Sequence, residues 1–295
     1  MAVSDATAAG PAPSASRPLL RSLIACWMGS VCLGTVIGYA GPAWTTLKGD
    51  PGFPNIDPFW FFTLGLLGAV GGSVVGAMAA QAIGRRRTMA VGALGALCTW
   101  LCVGSAQQLW YLYTGRLING FFAGMLSLVV PALIGELADA RNRGVQGARQ
   151  YISTLVGTIY VNLLGRHMVW SSLAFACIIP AGVLIPLSWF LVESPRWLLQ
   201  IGRRDSAMAM QRTLRKEPVE ANAEFKLMER AFSRTATPSL HYWLAAHLMF
   251  LQQFCGANMA ASYARVIMAA AGIEADEGHA DLAMLLIQVM LSRCP

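Results

Sequence analysis

Residues 59–87, FWFFTLGLLGAVGGSVVGAMAAQAIGRRR, set an uncharged run that ends at Ile83 almost directly against three arginines. At about 1.5 Å per helical residue the run is long enough to cross a hydrocarbon layer of ~30 Å. Apolar runs near 19–40, 88–108, 110–135, 147–168, 171–191 and 241–270 repeat the pattern, each near the ~20 residues that a span requires. Of 295 residues 56% are apolar and 13% charged, and mean hydropathy is +0.51; an ordinary soluble domain is about 25% charged. A soluble globular enzyme is excluded. The chain reads as an all-α, multi-pass membrane protein.

The net charge of +7 is unevenly placed. With the N-terminus in the cytoplasm, Arg17, Arg21, Arg85–Arg87, Arg141, Arg143, Arg149 and nine Lys or Arg between Arg196 and Arg234 lie inside. The outer connections hold Lys48 and Arg166, a split of 17 against 2. That asymmetry is the positive-inside bias. No contiguous basic patch supports nucleic-acid binding. Six cysteines (Cys26, Cys32, Cys98, Cys102, Cys177 and Cys255) fall inside the runs without metal-ligand spacing, so they read as small packing residues and imply neither disulfide framework, metal nor cofactor. Residues 1–18 read as a disordered cytoplasmic tail without the order of a signal peptide.

Six spans over 19–192 are followed by a long basic connection, 193–240, and a seventh span. In 204–232 the spacing of Ala207, Met210 and Leu214 predicts short amphipathic helices. Six helices, a long inner loop and further helices is the layout of a two-bundle transporter; a seven-helix receptor would not place its longest inner loop there. An eighth span survives only as Ala283–Leu291, so 241–295 reads as an incomplete second bundle in a C-terminally truncated chain. Gly65, Gly68, Gly72 and Gly76, with Gly120 and Gly124, are spaced for close helix packing. Pro180 and Pro186 predict a bend in the sixth span.

Specific motifs lie at the inner connections. Gly84-Arg85-Arg86 follows the second run, Gly115-Arg116 opens the fourth, and Gly135-Glu136 ends it, with Arg143-Gly144 beyond. Glu193-Ser194-Pro195-Arg196-Trp197 closes the sixth, and Gln252-Gln253-Phe254-Cys255-Gly256-Ala257-Asn258 lies in the seventh. In this order the set resembles the sugar-porter family of the major facilitator superfamily, with a likeness to animal facilitative glucose transporters and arthropod trehalose transporters. The resemblance implies that superfamily's fold: a complete N-terminal six-helix bundle plus the start of the second. Four positions depart from the family pattern. Gln81 and Ala82 stand where the family has an acid and often a base, Asp139 replaces a proline after Glu136, and Val192 replaces the proline before Glu193.

Arg85, Arg86, Glu136, Arg143, Glu193 and Arg196 form a set of alternating charge at helix ends. It could simply anchor the protein at the lipid interface; the resemblance implies a gating latch that holds the cytoplasmic side closed. Tyr151, Thr154, Thr158 and Asn162 share one face of the fifth run, and a polar stripe in lipid should face a cavity or a helix. The resemblance aligns Tyr151 with a sugar-contacting glutamine; threonines bonded to their own backbone are the other reading. Gln252, Gln253 and Asn258 carry amides that both donate to and accept from sugar hydroxyls, and Gly256 permits the helix break that would let them converge. Tyr151, Thr154, Thr158, Gln252, Gln253 and Asn258 are therefore the expected substrate contacts. Arg265 would snorkel or line an outer vestibule.

No Asp or Glu lies within a run except Glu136 at an end. Proton-coupled relatives carry an aspartate after the Gly-Tyr pair, where this chain has Gly38-Tyr39-Ala40. The expectation is therefore facilitative uniport of a hexose or trehalose by alternating access, in the plasma membrane, with the missing C-terminal bundle needed for a complete path. The alternative is a non-transporting membrane protein that senses sugar or regulates a full-length transporter. The four histidines pair with no carboxylate, which leaves no basis for an enzyme.

Overall fold

A computed structural model describes residues 17–139, 142–215 and 218–233, together with 243–244, 246–248 and 250–251. The tail before residue 17, nearly all of the expected seventh span and the eighth-span stub lie outside the described residues. Ten helices follow among those described: α1 (Arg17–Leu47), α2 (Pro58–Ile83), α3 (Arg85–Gly104), α4 (Leu109–Leu137), α5 (Arg143–Leu164), α6 (Trp170–Ala176), α7 (Ile178–Trp189), α8 (Pro195–Gln200), α9 (Arg204–Leu214) and α10 (Pro218–Ser233). Among the described residues five segments are long and apolar enough to cross a membrane: α1, α2, α3, α4, and α6 with α7 taken together. Helix α5 is long enough at 22 residues, but Gln146, Arg149, Gln150, Tyr151, Ser153 and the two threonines make it more polar.

Two boundaries differ from the sequence expectation. Helix α1 continues through Pro42 to Leu47, because one proline removes a single N–H from the ladder. The hydroxyls of Thr45 and Thr46 donate to the carbonyls of Pro42 and Ala43 at 2.7 and 3.2 Å. The sixth span breaks at Cys177, between α6 and α7. Pro180 has no N–H to give the carbonyl of Ala176, and the Tyr160 hydroxyl of α5 donates to that carbonyl at 3.0 Å.

Helix α2 packs along α4, α1 along α5, and α3 against α4 and α7. One buried cluster, with Leu23, Cys26, Met89, Leu133 and Leu184, fills the half near the arginine-rich end. A second, with Tyr39, Phe61, Trp100, Leu112 and Trp170, fills the opposite half. A third, with Leu198, Ala207 and Phe225, joins α8, α9 and α10. Ala207 and Leu214 of the expected amphipathic face are buried and Met210 is half-buried.

The α2–α4 contact is backbone on backbone. A Cβ on Gly68 or Gly72 would collide with the carbonyl oxygen of Leu117 or Phe121, and one on Gly120 or Gly124 with that of Gly65 or Ala69. Helices in lipid associate through such close approach, since lipid tails are as apolar as the side chains. Gly120→Ala should therefore lower the melting temperature and broaden the size-exclusion peak of the detergent-solubilised protein. Gly135→Ala, where an added Cβ meets nothing within 4 Å, should leave both unchanged.

At the end opposite the arginines, Trp170 ties α6 to the α1–α2 connection. Its indole N–H donates to Asp50 Oδ2 at 2.7 Å, its backbone N–H donates to Thr46 Oγ1 at 3.0 Å, and its carbonyl accepts from the Tyr39 hydroxyl at 2.9 Å. The Trp170 hydrogen bond, helped by the Gly52 N–H, holds the Asp50 carboxyl below its ordinary value. A depressed folded value means this tie is at full strength above the ordinary carboxylate range, ~3.9, and is lost as pH falls through the folded value. Melting temperatures measured from pH 6 to pH 3 should fall more steeply in the acid limb for the native chain than for Asp50→Asn.

Candidate functional site

The α2–α3 corner turns on Gly84, whose φ of 94° lies in the left-handed region. A Cβ there would also come within 2.8 Å of Glu193 Oε2, so only glycine allows both the turn and the approach. The turn aims the first amides of α3 at one carboxylate. Glu193 Oε1 accepts from Arg85 N at 3.0 Å and Arg86 N at 3.2 Å. These are donors that a helix start otherwise leaves unpaired, at its positive end.

The Arg85 guanidinium then grips α4 side-on. Its Nε and Nη2 donate to Glu136 Oε2 and Oε1 at 3.1 and 2.9 Å, with the two side chains 10% and 13% exposed. Its Nη1 donates to the carbonyl of Ala80 near the end of α2, at 3.2 Å, and to Gln200 Oε1 of α8 at 3.4 Å. Arg86 Nη2 donates to the Trp189 carbonyl at 2.7 Å. The Trp197 indole N–H donates to the Gln81 carbonyl at 2.8 Å. Four side chains of the expected latch set, Arg85, Arg86, Glu136 and Glu193, thus join the ends of α2, α3, α4 and α7 with α8. Arg143 and Arg196 are exposed and form no ion pair with a carboxylate among the described residues.

Two departures from the family pattern acquire partners. Val192 N–H donates to Ser22 Oγ of α1 at 3.0 Å, a bond a proline could not make. Asp139 pairs with Arg215 Nη1 at 2.8 Å. Arg215 Nε meets Glu224 Oε2 at 2.7 Å, and its Nη1 also donates to the Leu137 carbonyl at 3.2 Å. Through Arg215 the helices α9 and α10 are fastened to the end of α4.

The α5 stripe is divided. Thr158 Oγ1 donates to the carbonyls of Gly34 on α1 and Thr154 on α5, both at 3.2 Å. Thr154 Oγ1 donates to the Gln150 carbonyl at 3.3 Å, and Asn162 Nδ2 to the Thr158 carbonyl at 2.9 Å. Gly34, Gly38 and Gly157 let α1 and α5 approach there. Tyr151 is exposed, at 45%. Gln252, Gln253 and Asn258 lie outside the described residues, as does Arg265.

One charged residue received no role from its motif. Arg116 of α4 is 3% exposed, with its Cζ 4.8 Å from the Phe61 ring centroid and 5.3 Å from that of Tyr39. The sequence signal was present: an arginine within an otherwise uncharged run. Among the described residues no group of His, Cys, Asp or Glu could hold a metal ion.

The chain matches the family model described as sugar (and other) transporter over residues 24–292. The sugar transporter ERD6-like 6 of Arabidopsis thaliana is 29% identical over 271 residues, which cover 88% of this chain and 56% of the relative. Solute carrier family 2, facilitated glucose transporter member 8, of Bos taurus is 29% identical over 295 residues, covering 96% and 61%. The chain spans little more than half the length of these relatives. Among solved structures, the proton:xylose symporter XylE of E. coli, bound to 6-bromo-6-deoxy-D-glucose, aligns with a TM-score of 0.81 at 18% identity, over 93% of this chain and 67% of the other. That likeness gives the fold, the one expected of the major facilitator superfamily.

Glu136→Gln removes the carboxylate that faces Arg85 and leaves a nearly buried guanidinium half-satisfied. Breaking a buried pair from one side costs about 3 kcal/mol at the low end of its range, so thermal unfolding should show a loss of that order. Asp139→Asn, at a pair with a more exposed carboxylate, should cost under ~1 kcal/mol.

Proposed function

We propose, for a chain that belongs to the sugar (and other) transporter family, that it forms part of a facilitative transporter of a hexose or trehalose working by alternating access. The family match over residues 24–292 carries this reading. The membrane segments add support for uniport: α1–α7 contain one carboxylate, Glu136, and it is engaged by Arg85. A side chain that moves a proton with the substrate must titrate within the membrane, and none of these helices offers another acid.

In this reading residues 19–192 are the first bundle, 193–240 a cytoplasmic helical segment and 241–295 the start of the second bundle. The N-terminus faces the cytoplasm and the protein sits in the plasma membrane. Tyr151, Thr154, Thr158, Gln252, Gln253 and Asn258 meet the sugar. Arg85, Arg86, Glu136 and Glu193 latch the cytoplasmic ends together, with Arg143 and Arg196 joining them when the second bundle docks. The ligand hydroxyls suit neutral groups that both donate and accept.

The test is tracer uptake into proteoliposomes by the chain fused to a complete second bundle taken from a matched relative, with the unfused chain alongside. Labelled glucose and trehalose should equilibrate in the fusion without accumulating, and a protonophore should change nothing. Accumulation that the protonophore collapses would overturn uniport. A folded fusion that moves neither sugar would favour the non-transporting reading.

A further inference from the structure

The sequence carries the pattern Arg-Arg-X-Ser/Thr twice, at Arg85-Arg86-Arg87-Thr88 and at Arg203-Arg204-Asp205-Ser206. Serine/threonine kinases of the arginine-directed class read that pattern, pairing the two guanidiniums with carboxylates of their own cleft. The fold treats the two copies oppositely. Thr88 is fully buried and its hydroxyl donates to the Gly84 carbonyl at 2.7 Å, while Arg85 is committed to Glu136. In the second copy every residue from Ile201 to Ser206 is exposed.

The second copy also straddles a weakly held helix start. Gly202, with φ of 77°, turns the chain from α8 into α9, and Arg203 at the N-cap of α9 makes no side-chain capping bond. The first amides of α9 therefore lack the partner that a capping side chain would give. Presenting Ser206 in extended form begins with the loss of one helix bond, from Ala207 N to the Arg203 carbonyl at 3.0 Å. Arg203 forms no ion pair among the described residues. Arg204 pairs with Glu229 of α10 at 2.6 Å, but the two side chains are 60% and 41% exposed, and a surface pair of that kind contributes little. Both guanidiniums are open to an incoming enzyme.

We propose that Ser206 is a phosphorylation site for an arginine-directed serine kinase, and that its phosphate becomes the cap that α9 lacks. The γ-phosphoryl group of ATP passes to Ser206 Oγ: the new O–P bond forms as the bond to the ADP oxygen breaks, the hydroxyl proton goes to the base of the kinase, and ADP leaves. The product brings a charge of about −1.5 to −2 to the third residue of α9, where first-turn amides and the positive helix end favour an anion. Arg203 supplies a counter-charge, because N-cap and third-residue side chains meet across a helix start. Asp205, the acid already in that turn, points about 100° round the helix from Ser206. Helix α9 leads into Arg215, which holds Asp139 and the Leu137 carbonyl at the end of α4, so the modified turn lies one short helix from the bundle. In the cell the kinase meets Ser206 only if 193–240 is cytoplasmic, as proposed above; nanodiscs expose both ends of the protein, so the test below is separate from that reading and from sugar transport.

The purified chain in nanodiscs is incubated with ATP labelled at its γ-phosphate and the catalytic subunit of cyclic-AMP-dependent protein kinase, with a peptide of residues 200–209 as activity control. Incorporation should approach one phosphate per chain, mapped to Ser206 by mass spectrometry. Ser206→Ala should lose it. Arg203→Ala, which removes one charge-assisted contact to the kinase, should lower kcat/KM about tenfold or more. Backbone hydrogen exchange across 203–207 should be slower in the phosphorylated chain than in the unmodified one. A labelled peptide beside an unlabelled chain would overturn the site, since the fold would then shield the serine. So would two unlabelled samples, or label that survives undiminished in Ser206→Ala. Unchanged or faster exchange at the start of α9 would overturn the cap.

Discussion

The close backbone approach between α2 and α4, and between α1 and α5, is the constraint on which the rest of this molecule depends. In water a bundle of this size would be held by the removal of apolar surface from solvent. In lipid that force between helices is absent, and contact area at short range replaces it. The carbonyls of Gly65, Ala69, Leu117 and Phe121 sit where a Cβ from the facing helix would collide. On the other side Gly34, Gly157 and Thr154 make the equivalent contact. Leu66, Leu67 and Val70, exposed on α2, add hydrophobicity but no specificity, because lipid is an equally good neighbour.

Once the helices are set at that spacing, their ends come within reach of one another, and electrostatics takes over. Helix termini leave amides and carbonyls unpaired, and at this end they are answered by a few long side chains. Glu193 receives the first amides of α3, and Arg85 reaches carbonyl and carboxylate on two other helices. The same residues that satisfy backbone groups are the ones that join separate helices. A contact of this type holds rigid elements in one arrangement and can be exchanged for another when they move. A hydrophobic contact at the same place would have no comparable alternative partners.

Much of this was legible in the sequence, because span length, charge asymmetry and the glycine rows are local properties. The basic-end cluster was legible as a set of residue types, but its membership was not. Arg85 and Glu136 are 51 positions apart, and nothing local tells which of the two exposed arginines, Arg86 or Arg196, finds the Trp189 carbonyl. The break at Cys177 was foreshadowed by Pro180, yet its position depends on Tyr160 from another helix. The extension of α1 past Pro42 was hidden because a proline reads locally as a helix end, while Ala43 and Leu47 beyond it are buried in the core. On α5 the stripe was correctly periodic, but periodicity does not tell a cavity from a helix, and Thr158 bonds to the Gly34 carbonyl of α1.

The departures from the family pattern sharpen the same point. A proline at position 192 would carry no N–H, so the bond from Val192 to Ser22 Oγ exists only because the proline is gone; it adds a tie between α1 and the segment after α7. A proline at position 139 would carry no charge, so the aspartate is what lets Arg215 bind the end of α4 and α10 together. Both substitutions strengthen links between the first bundle and the segments that follow it. The positions of Gln81 and Ala82 have the opposite effect, since two charges of the family pattern are absent and only the Gln81 carbonyl makes contact, with Trp197. Ties across the corner of α2 have been exchanged for ties at the ends of α4 and α7. Through Arg215, α9 and α10 are therefore fastened to the end of α4, which α2 and α3 hold in turn.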